Sequence, residues 1–154
     1  MPRAGFTTIP TGRIRFTRDG RWLCDGEPIS NPAICRLYAR AMTLGADGIP
    51  RLELGADRVV VEVEDTPWVV TTVDRQPDGT FEITLNDGSR EPLDTDTLRV
   101  GPDHVLYCRA HGGRHEVRFL RPAYYELLRH AEVTPEGRLV LPVAGRRVLL
   151  DDAS

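Results

Sequence analysis

The stretch VRFLRPAYYELLRHA, residues 117–131, decides the fold. Val117 and Phe119 flank the polar Arg118, which is the alternation of a half-buried strand. At Arg121-Pro122 the period changes. Ala123, Tyr124, Leu127, Leu128 and Ala131 then recur at helical spacing and share one face. Pro122 suits the first helical position, because the N–H it lacks would have had no intrahelical partner there. The chain therefore passes from strand to helix at this point, and the elements on either side tell which kind of sheet the strand joins.

Upstream, His111-Gly112-Gly113 is a tight turn, which pairs residues 116–119 with a strand over 105–109. Similar turns recur along the chain. Asp19-Gly20 and Asp25-Gly26 punctuate short runs at 14–17 and 21–24, Pro77-Asp78-Gly79 precedes the alternating run 81–85, and Asn86-Asp87-Gly88 follows it. Asp-Gly and Asn-Asp-Gly sequences supply the positive φ angles that a hairpin needs. Strands joined by such turns are antiparallel, so the sheet is not all parallel and the fold is α+β rather than doubly wound.

A second helix is expected after Ser30-Asn31-Pro32, with Asn31 as its cap and Pro32 in its first turn. Ile34, Leu37, Tyr38 and Ala41 form its inner face, Arg36 and Arg40 its outer face, and Gly45 with Asp47-Gly48 its end. Strands follow at 51–54, 59–64 and 68–73. After residues 117–131 come strands at 139–141 and 147–150, separated by a turn from Pro142 to Gly145, while 89–102 shows no clear pattern.

Laying Pro32 on Pro122 also lays Ala33 on Ala123, Leu37 on Leu127 and Ala41 on Ala131. Flanking hairpins match in order, and each half ends on acids, Glu64-Asp65 and Asp151-Asp152. The expected architecture is two pseudo-repeated β-hairpin–helix–β-hairpin units with mainly antiparallel sheets and two principal helices. The repeats would span about 13–75 and 103–152 in one domain, 13–154. A segment 76–102 would join them, and residues 1–12 would form a lead-in.

Composition removes several function classes. All twenty basic residues are arginine, so lysine-dependent phosphate loops and Schiff-base chemistry are excluded. The arginines are interleaved with acids at a net charge of −3, and no basic stripe carries stacking aromatics, so no nucleic-acid partner is expected. No run of about 18 apolar residues spans a membrane. The first residues lack the apolar core of a signal peptide. Three cysteines without CxxC spacing read as reduced thiols of a cytosolic protein. No cofactor is expected, and the oligomeric state is open.

Three segments, GRWLCDGEPISNPAICRLYAR (20–40), RVVVEVEDTPWVV (58–70) and HEVRFLRPAYYELL (115–128), resemble the bacterial DUF1285 family, whose function is not known. The resemblance runs from about residue 14 to residue 152. Its most specific piece is the Arg-Pro-x-Tyr-Tyr-Glu-Leu run ending at Leu127. It implies a fold with two repeated β-α-β motifs and a role in signal transduction, and it brings no catalytic residues. One departure lies at His111-Gly112-Gly113-Arg114-His115-Glu116, where the family pattern has Gly-Leu-Glu.

Arg121 is the leading candidate site residue. It is expected at the N-cap, where Asn, Asp, Ser or Thr would be worth about 0.5–2 kcal/mol more than a non-capping residue. Its charge also meets the positive end of the helix dipole, at a cost of about 0.3–1 kcal/mol. An internal salt bridge to Glu64 or Asp65 would reverse that sign, and so would a bound phosphate or carboxylate. Tyr125 is either an ordinary surface tyrosine or an anchor for a partner, whereas Tyr124 belongs to the packed stripe. Arg109 completes the set.

Cys108-x-x-His111-x-x-x-His115, with His104 nearby, has ligand types at finger-like intervals, but no second pair completes a tetrahedron and no metal is expected. No GxSxG or other catalytic motif occurs. The expected function is a cytosolic, non-enzymatic module binding a small anion or a protein partner. The alternative is a small enzyme with a carboxylate and an arginine in a cleft between the repeats.

Overall fold

A computed structural model describes residues 11–150. The described chain is a run of five three-stranded antiparallel meanders, with helices after the first and the fourth. The first comprises β1 (Ile14–Phe16), β2 (Trp22–Cys24) and β3 (Glu27–Pro28), and leads into α1 (Pro32–Ala41). The second comprises β4 (Met42–Leu44), β5 (Pro50–Leu54) and β6 (Asp57–Val63). The third holds β7 (Val69–Arg75), β8 (Phe81–Leu85) and β9 (Arg90–Pro92). The fourth holds β10 (Arg99–Val100), β11 (Leu106–Ala110) and β12 (His115–Phe119), and passes into α2 (Arg121–Leu128). The fifth is β13 (Glu132–Val133), β14 (Leu139–Val143) and β15 (Arg146–Leu149).

Two parallel pairings weld four of these meanders into two sheets. β1 runs parallel to β6 through Ile14 to Val61 and Phe16 to Val63. β7 runs parallel to β12 through Val69 to Arg118 and Val70 to Phe119. The first sheet has the order β3-β2-β1-β6-β5-β4, and the second, read from its far edge, β9-β8-β7-β12-β11-β10. The two orders are the same when β7 takes the place of β1. The fifth meander forms a separate three-stranded sheet.

The fold is thus α+β with repeated units, and each helix stands between two meanders as expected. The sheets repeat in a different frame from the helices, however. Matching sheets sets β1–β6 against β7–β12, so the position of α1 is taken in the second sheet by a 3-10 turn at Thr95–Thr97. Residues 76–102, expected as a joining segment, supply β8, β9 and β10 to that sheet. Among the described residues the compact units are 11–67 with Asn86–Gly88, and Trp68–Leu85 with 89–150. Aligned helices carry no information about which strand edges hydrogen-bond. Of the expected lead-in, residues 1–10 lie outside the described residues, as do the closing acids 151 and 152.

Local chemistry explains most elements. At Asp25 and Gly26 φ is 50° and 83°, the pair of positive angles that a two-residue I′ turn requires. Asn31 caps α1, its side-chain oxygen accepting from Ala33 N at 2.9 Å and Ile34 N at 3.4 Å. The helix ends earlier than expected, at Ala41, because Met42, Thr43 and Leu44 pair with Leu52, Arg51 and Pro50. In the first unit Trp22 packs between Phe16, tilted at 4.8 Å, and Tyr38, edge-on at 5.5 Å, and Leu52 and Ile14 are fully buried. Ala39, on no expected face, is buried too, while Ile34, Leu37 and Ala41 are only half-buried.

In the second unit Phe81, Ile83 and Leu85 alternate inward from β8, and Ala123 and Leu127 bring α2 down onto β7. Gly79, at φ 87°, accepts from Ala144 N at 3.1 Å through its carbonyl, which ties the turn after β7 to the turn after β14.

Candidate functional site

Leu120, not Arg121, is the N-cap of α2, and no side chain caps the helix. Arg121 and Pro122 are its first two residues. Proline fits there, since the first-turn N–H groups lack intrahelical partners in any case. The expectation that Arg121 displaces a capping side chain is therefore corrected by one residue. The guanidinium still stands at the positive end of the helix. It is exposed, and it donates to Tyr125 Oη at 3.4 Å, one turn on. Tyr125 is 52% exposed, and its ring centroid lies 5.5 Å from that of Tyr124.

The other expected site residues fall elsewhere. Arg109, on β11, donates to Gly113 O at 2.8 Å and Arg114 O at 3.2 Å, which fastens the β11–β12 turn. Glu64, in the first unit, accepts from the Arg18 backbone N–H at 2.9 Å and lies 3.8 Å from Arg15 and 3.7 Å from the Arg18 guanidinium. Asp65 follows it, exposed, before Thr66. Arg121 and Tyr125 are thus brought together, while Arg109 serves its own turn and Glu64 its own strand neighbours.

Among the described residues, two concavities stand out. In the first unit, Arg13, Arg15, Leu23, Asp25, Gly26 and Glu62 line one of about 330 Å³. Its charges answer one another. Glu62 accepts from Arg13 Nε at 2.7 Å and Nη2 at 2.9 Å, which holds its carboxyl below the usual carboxylate range, and Asp25 accepts from Arg13 N at 2.9 Å.

The second concavity lies beside α2 and has a volume of about 190 Å³. Tyr124 and Leu128 of α2 form one wall, Val100, His104 and Leu106 a second, and Leu139 and Leu150 a third. On α2, Arg121, Tyr124, Tyr125 and Leu128 are neighbours at three and four residues, so the Arg121–Tyr125 pair adjoins the wall. Neither the His104 ring nor the Tyr124 hydroxyl hydrogen-bonds another described residue. Asp103 and His104 both have φ of 60°, a left-handed conformation that costs non-glycine residues roughly 1–2 kcal/mol each. The sequence marked Tyr124 and Leu128 as plain core. His104 was visible only as a stray metal-ligand type.

A third cluster involves the spaced histidines. His111 Nδ1 lies 2.8 Å from His115 Nδ1, and both rings pack on buried Trp68, at centroid distances of 4.8 and 4.5 Å. Cys108 is buried, and burial pushes its thiol up to about 12, with Glu91, Asp94 and Glu116 adding to the effect. Among the described residues no three His, Cys, Asp or Glu side chains are grouped to hold a metal ion.

These features define an α+β protein of two like six-stranded sheets, each with a single parallel joint at its centre. Known structures share this architecture. A DUF1285 family protein from Silicibacter pomeroyi DSS-3 matches over 92% of this chain and 81% of its own, with a TM-score of 0.68 and 22% identity. A DUF1285 family protein from Shewanella baltica OS155 matches over 77% of this chain and 92% of its own, with a TM-score of 0.60 and 20% identity. No family model and no curated protein matches the sequence. The chain has the fold of these DUF1285 proteins.

Proposed function

We propose that the chain is a DUF1285-type, cytosolic, non-enzymatic module that binds a small ligand beside α2 and serves a bacterial signalling or regulatory system. The observation carrying the proposal is the concavity walled by Tyr124, Leu128, His104 and Leu150, in which apolar side chains adjoin two polar side chains that hydrogen-bond no other described residue. Ligand sites have this composition, apolar walls with a few convergent polar groups. Glu64, a carboxylate that the enzymatic alternative would draw on, is held by Arg15 and Arg18 of its own unit, which favours binding over catalysis. No described helix is long and apolar enough to cross a membrane, in keeping with a cytosolic setting.

A thermal-shift screen of nucleotides, organic phosphates and small carboxylates, followed by native mass spectrometry, tests this reading. At least one compound is expected to raise the melting temperature of the wild type and to lose its effect in Leu128→Trp, which fills the concavity. Hits that persist in Leu128→Trp would place binding elsewhere and overturn the assignment.

A further inference from the structure

The concavity beside α2 has dimensions and a donor set that narrow its ligand, and the inference rests on the binding reading above. The geometry points to a small carboxylic acid, with one ring or a short branched chain as its apolar body. The body lies against Leu106, Leu128 and Leu150, and the carboxylate meets His104 and Tyr124.

Size sets the first limit. A dry apolar cavity of about 150 Å³ accepts benzene, so the 190 Å³ here suits a single ring with a small substituent. Wall chemistry sets the second. Val100, Leu106, Leu128, Leu139 and Leu150 offer no hydrogen bond from their side chains, so a ligand polar throughout would lose its hydration without replacement. The head group follows from the edge of the site. His104 is exposed and Tyr124 half-buried, and each can donate from an N–H or O–H that no described residue accepts.

An oxygen acceptor satisfies both donors, and the local field favours a charged one. Tyr124 lies in the first turn of α2, at its positive end, with the Arg121 guanidinium three residues before it. Asp103, the acid adjoining His104, is exposed to solvent. The strained backbone at Asp103 and His104 is a further pointer. Such conformations persist where surrounding structure enforces them, and they gather at ligand sites.

Titration of the full chain with benzoate, benzyl alcohol and toluene, followed by ligand-observed NMR and calorimetry, tests the assignment. Benzoate is expected to bind, with benzyl alcohol and toluene each at least about tenfold weaker. His104→Ala and Tyr124→Phe should each weaken benzoate about tenfold, the worth of one hydrogen bond to a charged acceptor. Leu128→Trp should abolish binding while circular dichroism stays native. If that variant misfolds, Leu128→Phe serves the same purpose with less added volume.

Toluene or benzyl alcohol binding as tightly as benzoate would overturn the carboxylate assignment, as would unchanged benzoate affinity in Leu128→Trp or Leu128→Phe. A different compound that binds the wild type and is lost in the filled variant, with benzoate silent, would overturn the acid and leave the binding site standing. Silence of every compound here and in the thermal-shift screen would remove both.

Discussion

His111 Nδ1 and His115 Nδ1 lie 2.8 Å apart across the β11–β12 turn, so one proton serves two nitrogen atoms. If both rings carried a proton at Nδ1 the bond would become a repulsion. Burial, then His111, Arg114 and Arg109, lowers the pKa of His115 from its usual 6.5. Above that value His115 is neutral in both states and its contribution to stability is fully present. As pH falls through 6.5 towards the lower folded value, the unfolded chain takes up the proton first, and stability is lost. The melting temperature should therefore fall between about pH 7 and pH 5, and fall less in His115→Gln. Equal slopes in the two proteins would refute the assignment.

Cys108 should be the slowest of the three cysteines to react. The thiolate is the nucleophile, and burial holds this thiol near 12. Cys35 is also pushed up by burial, less deeply, and its Sγ donates to Ile29 O at 3.1 Å. Alkylation of the folded protein at mildly alkaline pH, mapped by mass spectrometry, should modify Cys108 only once the chain is unfolded. Early modification of Cys108 would contradict its burial.

The two helix starts predict opposite responses. Asn31→Ala removes a cap bonded to two N–H groups and should destabilise by about 0.5–2 kcal/mol. Arg121→Ala removes an exposed cation from the positive end of α2 and should be neutral or stabilising by about 0.3–1 kcal/mol. Urea melts of both variants read the difference. A large loss in Arg121→Ala would mean that this guanidinium holds the fold.

Gly79→Ala should destabilise by about 1 kcal/mol or more, because a left-handed φ is compounded by crowding. A Cβ at Gly79 would stand 3.1 Å from Ala144 N and 3.2 Å from Ala144 Cα, where the fifth meander meets the turn after β7. Gly137→Ala, also at positive φ but with nothing within 4 Å, isolates the backbone effect. Equal losses in the two variants would show that the close approach carries no energy.

Much of the fold was legible because its signals are short-range. Asp25-Gly26 and Asn31-Pro32 behave as their turn and cap chemistry requires, and Phe81–Leu85 buries every other residue as its alternation announces. Elements without local signals were missed. Met42–Leu44 and Glu132–Val133 are too short for a period, and they become strands only by pairing with Leu52 and Val140. At the candidate site, the helical stripe marked Tyr124 and Leu128, but their half-buried state depends on what faces them. Arg121 and Tyr125 were legible as neighbours at four residues. His104, between the unpatterned segment 89–102 and the strand that follows, was not legible as part of the site.

The sequence by itself determined most of the antiparallel hairpins, the two helices and their places between them, because turns, caps and periods act between residues a few positions apart. Only the tertiary structure decided that β1 pairs with β6 and β7 with β12, which sets the frame of the repeat. It alone brought Leu139 and Leu150 to face His104 and Tyr124. Parallel strands share no turn, and the walls of a cavity share no period. Both arise from burial between segments distant in sequence, where what one residue meets depends on where every other has gone.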